Sequence, residues 1–144
     1  MHTQLPPHRI LHPENGFELG KCSYKEAREN KRCLVDKSLL IKEFILDEDG
    51  VVILSRPRRF GKSMNMSMLQ RFFEIPGPDM NCGDAFEGNL ISEEKDIMEQ
   101  HYHKYPLIFL DFKEIRRDNW EDTYISLCRR IANEIGRNNK ARLL

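Results

Sequence analysis

The chain has 144 residues, of which 23 are basic and 23 acidic, with 40% hydrophobic and 32% charged side chains. That balance leaves no global field to favour nucleic acid, and no window approaches the ~20 apolar residues of a membrane-spanning helix. Residues 1 to 13 carry three prolines and three histidines and lack the apolar core of a signal peptide. The expectation is a soluble, intracellular chain, cytoplasmic with the nucleus left open, of one domain's length. Cys22, Cys33, Cys82 and Cys128 are widely spaced with no C-x-x-C pair. They read as free thiols and exclude both a disulfide framework and a zinc site of the usual spacing.

In chain order, residues 1 to 20 read as an irregular segment and 21 to 144 as the folded part. Ser23 opens a short helix, with Glu26 three residues on completing a capping box. Cys33-Leu34-Val35 is a brief extended piece. Asp36 can cap the helix that follows, or Lys37 can face a ligand; composition leaves the two open. Leu39, Leu40, Phe44 and Ile45 mark one face of a second helix, which ends in the acidic turn Asp47-Glu48-Asp49-Gly50. Val51 to Ser55 is apolar without alternation, as in a parallel strand covered on both faces.

After a basic loop, Met64, Met68, Leu69 and Phe72 recur at helical spacing until Pro76-Gly77-Pro78 stops the pattern. Residues 79 to 88 read as loop, Ser92 opens a charged helix running to about His101, and Leu107 to Phe112 is a second apolar strand. Strand, helix and strand predict a right-handed βαβ unit within a three-layer α/β/α fold. A last helix starts near Asp118 or Asn119, with Trp120, Tyr124, Leu127, Cys128, Ile131 and Ile135 on a face that needs the sheet as its partner. His101-Tyr102-His103 lacks a third ligand and reads as surface rather than metal site.

The loop carries the chemistry. Val51-Val52-Ile53-Leu54-Ser55-Arg56-Pro57-Arg58-Arg59-Phe60-Gly61-Lys62-Ser63 is an apolar run feeding a turn that ends in Gly-Lys-Ser and opens a helix. A triphosphate needs many converging donors and positive charge already in place. Backbone N–H groups from Arg58 and Arg59 through Phe60, Gly61, Lys62, Ser63 and Met64 can supply the donors, as a nest that runs into a helix N-terminus. Gly61 permits close backbone approach, Lys62 reaches the β and γ phosphates, and the Ser63 hydroxyl is the candidate Mg²⁺ ligand. The usual first glycine of G-x-x-x-x-G-K-[ST] is replaced by Arg56, and Pro57 follows it. Both changes stiffen the entrance and leave the donor half of the loop untouched.

Arg56-Pro57-Arg58-Arg59-Phe60-Gly61-Lys62-Ser63, with Met64 to Leu69 and Phe72-Phe73 behind it, closely resembles the signature of the AAA-ATPase-like family. Tyr24, Leu34 to Ser38, Phe86-Glu87-Gly88, Tyr105 to Phe112 and Trp120-Glu121 are similar too, so the resemblance runs from about Phe17 to Ile135. It implies a P-loop NTPase-like α/β fold with a parallel sheet, here as its N-terminal βαβ portion, that binds ATP with Mg²⁺. Family members are longer, carry a Walker B strand ending in acidic residues, and are often fused to a restriction-endonuclease-like domain; neither is identifiable here. Leu107 to Asp111 has the form of a Walker B strand, but its place in the family corresponds to an earlier strand, with Asp111 capping its end. The expectation is nucleotide binding, hydrolysis by this chain alone not being expected and its catalytic residues unknown. A non-catalytic remnant and a nucleic-acid-associated module are the alternatives.

Overall fold

A computed structural model describes residues 9–16, 23–47, 50–77, 85–115 and 117–142. Cys22, Cys82, most of the N-terminal segment, Glu48-Asp49 of the acidic turn and most of the 79–88 loop lie outside the described residues. The fold is mixed, with helices and a two-stranded sheet, in two compact units. One unit spans Met1–Phe72 and Gly83–Tyr102, the other Phe73–Cys82 and His103–Leu144.

In the first unit, β1 (Ile10–Leu11) pairs antiparallel with β2 (Leu34–Val35), in the register Ile10 to Val35 and Leu11 to Leu34. β2 falls within the expected extended piece, whereas β1 arises in the stretch read as irregular. A two-residue strand has no periodicity to detect, and only its partner defines it.

Helix α1 (Tyr24–Glu29) starts as expected. The Ser23 hydroxyl accepts the Glu26 N–H, and the Glu26 carboxylate accepts the Ser23 N–H at 2.9 Å. Those bonds hold the exposed Glu26 carboxyl below the usual carboxylate range. The helix ends with Lys31 at φ 48°, its N–H bonded to Arg28 O, and Arg32 N–H bonded to Ala27 O at 2.9 Å. This is a Schellman-type ending with lysine in the left-handed position that glycine usually takes.

Helix α2 is Leu39–Leu46 and α3 is Lys62–Phe73. In α2 the fully buried residue is Ile41, while Phe44, expected on the inner face, is 41% exposed. The core lies between α1, α3 and the Ala85–Gly88 turn. Phe86 stacks on Tyr24 with centroids 5.2 Å apart and meets Phe72 and Tyr102 edge-on at 5.4 and 5.8 Å. Met68, Leu69 and Phe72 are buried, as their helical spacing predicted. The Ser67 hydroxyl accepts the Tyr24 N–H at 2.9 Å and donates to Met64 O, tying the start of α1 to α3. A 3₁₀ turn (Leu90–Glu93) precedes α4 (Lys95–His101), so the helix expected from Ser92 begins three residues late.

The second unit holds a 3₁₀ turn (Phe112–Glu114) and the long helix α5 (Trp120–Arg142). Asn119 caps α5, its side-chain oxygen accepting the Asp122 N–H at 2.8 Å. A parallel bridge joins Glu74 to Tyr105, through Ile75 N–H to Tyr105 O and Tyr105 N–H to Phe73 O. The His103 ring Nδ1 lies 2.7 Å from Glu74 O, and the described residues include no cluster fit to hold a metal. From α5, Glu134 accepts the Phe109 N–H at 3.4 Å and Arg137 donates to Leu107 O at 3.4 Å. Charged side chains thus take up backbone groups that a neighbouring strand would otherwise meet.

The expected parallel three-layer sheet is not present among the described residues. Val51 to Ser55 and Leu107 to Phe112 form no strand, and Val51, Ile53 and Ile108 are 78%, 83% and 58% exposed. An extended run becomes a strand only when neighbours take its N–H and C=O groups. Within the first run the Ser55 N–H instead turns back to Ile53 O at 3.2 Å. The apolar face expected on α5 is only partly covered, with Trp120, Tyr124 and Ile135 exposed, Leu127 and Ile131 half-buried and the acidic Glu134 buried.

Candidate functional site

The basic loop turns sharply before α3. Arg59 and Gly61 have φ of 69° and 74°, and Phe60 between them does not. Such alternation curls successive N–H groups toward one side, the geometry of an anion-binding nest. At Gly61 the left-handed conformation suits the missing Cβ, whereas at Arg59 it carries strain of about 1 kcal/mol.

Gly61 O accepts the Asn65 N–H at 2.8 Å, the first bond of α3. The N–H groups of Lys62, Ser63 and Met64 therefore belong to the opening turn, with no carbonyl ahead of them in the helix. The helix behind them is 12 residues long, so its dipole favours negative charge at that end.

Lys62 curls back over the loop. Its Nζ donates to Arg56 O at 2.6 Å and to Pro57 O at 3.0 Å. Ser63 is exposed on the same turn, and its hydroxyl has no partner among the described residues. A small hard cation such as Mg²⁺ takes oxygen ligands and keeps several waters, so a reachable hydroxyl on this turn fits it. Arg58, Arg59 and Phe60 are exposed, and Met64 is half-buried.

The residue that reading along the chain left undecided is Lys37. Its Nζ lies 3.6 Å from the point where a Cβ on Gly61 would stand. Asp36 meets the entry to α2 and also reaches beyond it. Its buried carboxylate accepts three bonds, from Ser38 N–H (2.9 Å), Asn89 Nδ2 (2.9 Å) and Leu90 N–H (2.7 Å).

Asp111 lies in the second unit, where its carboxylate accepts the Lys113 N–H at 2.9 Å and caps the 3₁₀ turn. A cleft of about 390 Å³ in that unit is lined by Asp111, Arg117, Arg129 and Arg130 among others, and by no loop residue.

A basic turn thus runs into the first turn of a helix, with a lysine folded over it. The family model described as predicted AAA-ATPase matches residues 18–142, and the chain belongs to that AAA-ATPase-like family. No curated protein and no solved structure matches the chain. Among the described residues, no helix is long and apolar enough to cross a membrane.

Proposed function

We propose that this chain binds ATP as its Mg²⁺ complex, through the loop from Arg58 to Met64. The observation that carries the reading is the position of Lys62, on the opening turn of α3 with its ammonium over the carbonyls of Arg56 and Pro57. Two neutral carbonyls are modest acceptors. Phosphate oxygens carry full negative charge and add ionic attraction to the hydrogen bond, so an arriving phosphate takes the ammonium from them. The N–H groups of residues 61 to 64 meet the β and γ phosphates, and the Ser63 hydroxyl holds the metal. Family membership supports nucleotide use in general.

The proposal stops at binding. Hydrolysis needs a carboxylate that orients water. Asp36 is taken up by three donors and Asp111 by the turn it caps. Titration calorimetry with a slowly hydrolysed ATP analogue and Mg²⁺ tests the reading. Lys62→Ala is expected to bind roughly 100-fold more weakly while keeping its circular dichroism. A folded wild-type chain that takes up no nucleotide overturns it.

A second reading, a non-catalytic remnant, is favoured by the exposure of Val51 and Ile53, which leaves the run leading into the loop outside any sheet. Strong binding of a hydrophobic dye, with no loss of dye when nucleotide is added, would support that reading.

A further inference from the structure

We infer that Lys37 is a second phosphate-binding cation of this site, delivered to the loop from the segment between β2 and α2. The inference rests on the nucleotide reading above and adds to it a residue that lies well outside the Gly-Lys-Ser motif.

Three observations lead to it. First, the backbone on either side of Lys37 is pinned. The Asp36 N–H donates to Arg9 O at 2.7 Å, its carboxylate holds three donors, and the buried Ser38 hydroxyl accepts the Ile91 N–H at 3.0 Å. Residues 36 and 38 are buried and 37 is exposed, so the anchors fix where the lysine leaves the backbone. Second, the amine reaches Gly61, where it lies at ordinary contact distance from the place a side chain would occupy. The glycine therefore serves two ends there: it adopts the left-handed turn and leaves the space beside it open. Third, among the described residues the Lys37 amine has no carboxylate and no carbonyl partner. Lys62 and Lys42, by contrast, have such partners, the loop carbonyls and the Glu94 carboxylate at 2.6 Å.

An ammonium without a counter-charge, beside the residue whose N–H opens the nest, favours an anion there. Lys62, at the start of the helix that follows the loop, holds its ammonium over the Arg56 and Pro57 carbonyls, and Lys37 comes to Gly61 from the chain that precedes the loop, so two cations from different elements meet the same turn. The ligand class that fits is a polyphosphate with more than one anionic group, a nucleoside di- or triphosphate rather than a single carboxylate. Arginine in place of lysine would change the geometry, because a planar fork replaces a point charge.

The test uses the full chain and titration calorimetry with MgADP and with a slowly hydrolysed ATP analogue plus Mg²⁺, across a series of salt concentrations. Wild type, Lys62→Ala, Lys37→Ala and Lys95→Ala are compared, the last removing the same charge from α4. If Lys37 meets phosphate, Lys37→Ala binds the analogue about 10-fold or more weakly, with a shallower dependence on salt. Its unfolding midpoint in urea stays at the wild-type value, and Lys95→Ala binds as wild type does. Wild type and Lys37→Ala binding equally, with Lys62→Ala lost, overturns the role of Lys37 and leaves the loop reading standing. A folded wild type that binds neither nucleotide overturns both. Should Lys37→Ala fold poorly, Lys37→Gln keeps the stem, removes the charge and serves the same comparison.

Discussion

The carboxylate of Asp36 accepts the backbone N–H of Leu90 at 2.7 Å, across 54 residues of chain. Through this bond the entry to α2 and the 3₁₀ turn before α4 become one piece. The same carboxylate takes Asn89 Nδ2, and Asn89 Oδ1 in turn accepts the Tyr24 hydroxyl at 3.1 Å, making a buried relay of three side chains.

Asp36→Asn is the sharpest probe of that relay. An amide has the same shape but offers one acceptor oxygen, and its NH₂ group would face an N–H donor. Leaving a buried donor unsatisfied next to another donor costs about 2–3 kcal/mol. Urea unfolding should show that loss, and a change under about 0.5 kcal/mol would mean that the relay contributes little.

Tyr24 predicts an alkaline weakness. Burial, and to a lesser degree the charge of Asp36, push its phenol above the ordinary value near 10. A folded-state value above the unfolded one means that the stabilisation is fully present below about pH 10, and is lost as pH rises from there toward the folded-state value. Urea midpoints between pH 8 and 11 should therefore fall for wild type and stay flatter for Tyr24→Phe. At pH 7 that variant loses the hydroxyl shared between Ala85 O and Asn89 Oδ1 and leaves the buried Asn89 oxygen without its donor, a cost of about 1–3 kcal/mol.

Lys31 offers the opposite sign. It occupies the left-handed position after α1 at φ 48°, where a Cβ costs about 1 kcal/mol and glycine pays nothing. Lys31→Gly should stabilise the chain by about 0.5–1 kcal/mol, read as a higher thermal midpoint. The Asn15 side chain bonds Lys31 O, a backbone group, so that contact survives the substitution.

In the second unit, Arg137 pairs with both Glu74 and Glu134, and Glu74 is 4% exposed. Desolvation lowers the guanidinium's own affinity for its proton, yet Arg137 remains the cation between two carboxylates. Arg137→Ala leaves those two carboxylates facing each other without it, at a cost of about 2 kcal/mol after allowance for the arginine's partial exposure. Hydrogen exchange at Phe109, whose N–H meets Glu134, should quicken in the variant.

Much of the local structure was legible along the chain. Ser23 and Glu26 announce a helix start because a capping box is satisfied within four residues. The buried stripe of Met68, Leu69 and Phe72 follows from helical spacing alone. Lys62 as the opening of α3 was readable from the Gly-Lys-Ser ending and the methionines behind it. The two apolar runs read as strands were not strands, because backbone pairing needs a neighbour and no local pattern shows whether one is there. Phe44 and α5 misled for a related reason: an apolar stripe marks a face that favours cover, and what covers it is a matter of packing.

Sequence by itself determined the starts of α1, α3 and α5, the charge of the loop and the family, since each rests on residues within a few positions of one another or on their order. Only the tertiary structure decided that Asp36, besides holding the Ser38 N–H at the entry to its own helix, clamps Leu90, and that Lys37 arrives beside Gly61. Those two relationships join positions far apart in the chain, a hydrogen bond in one case and a close approach in the other, and a local pattern carries no signal of either.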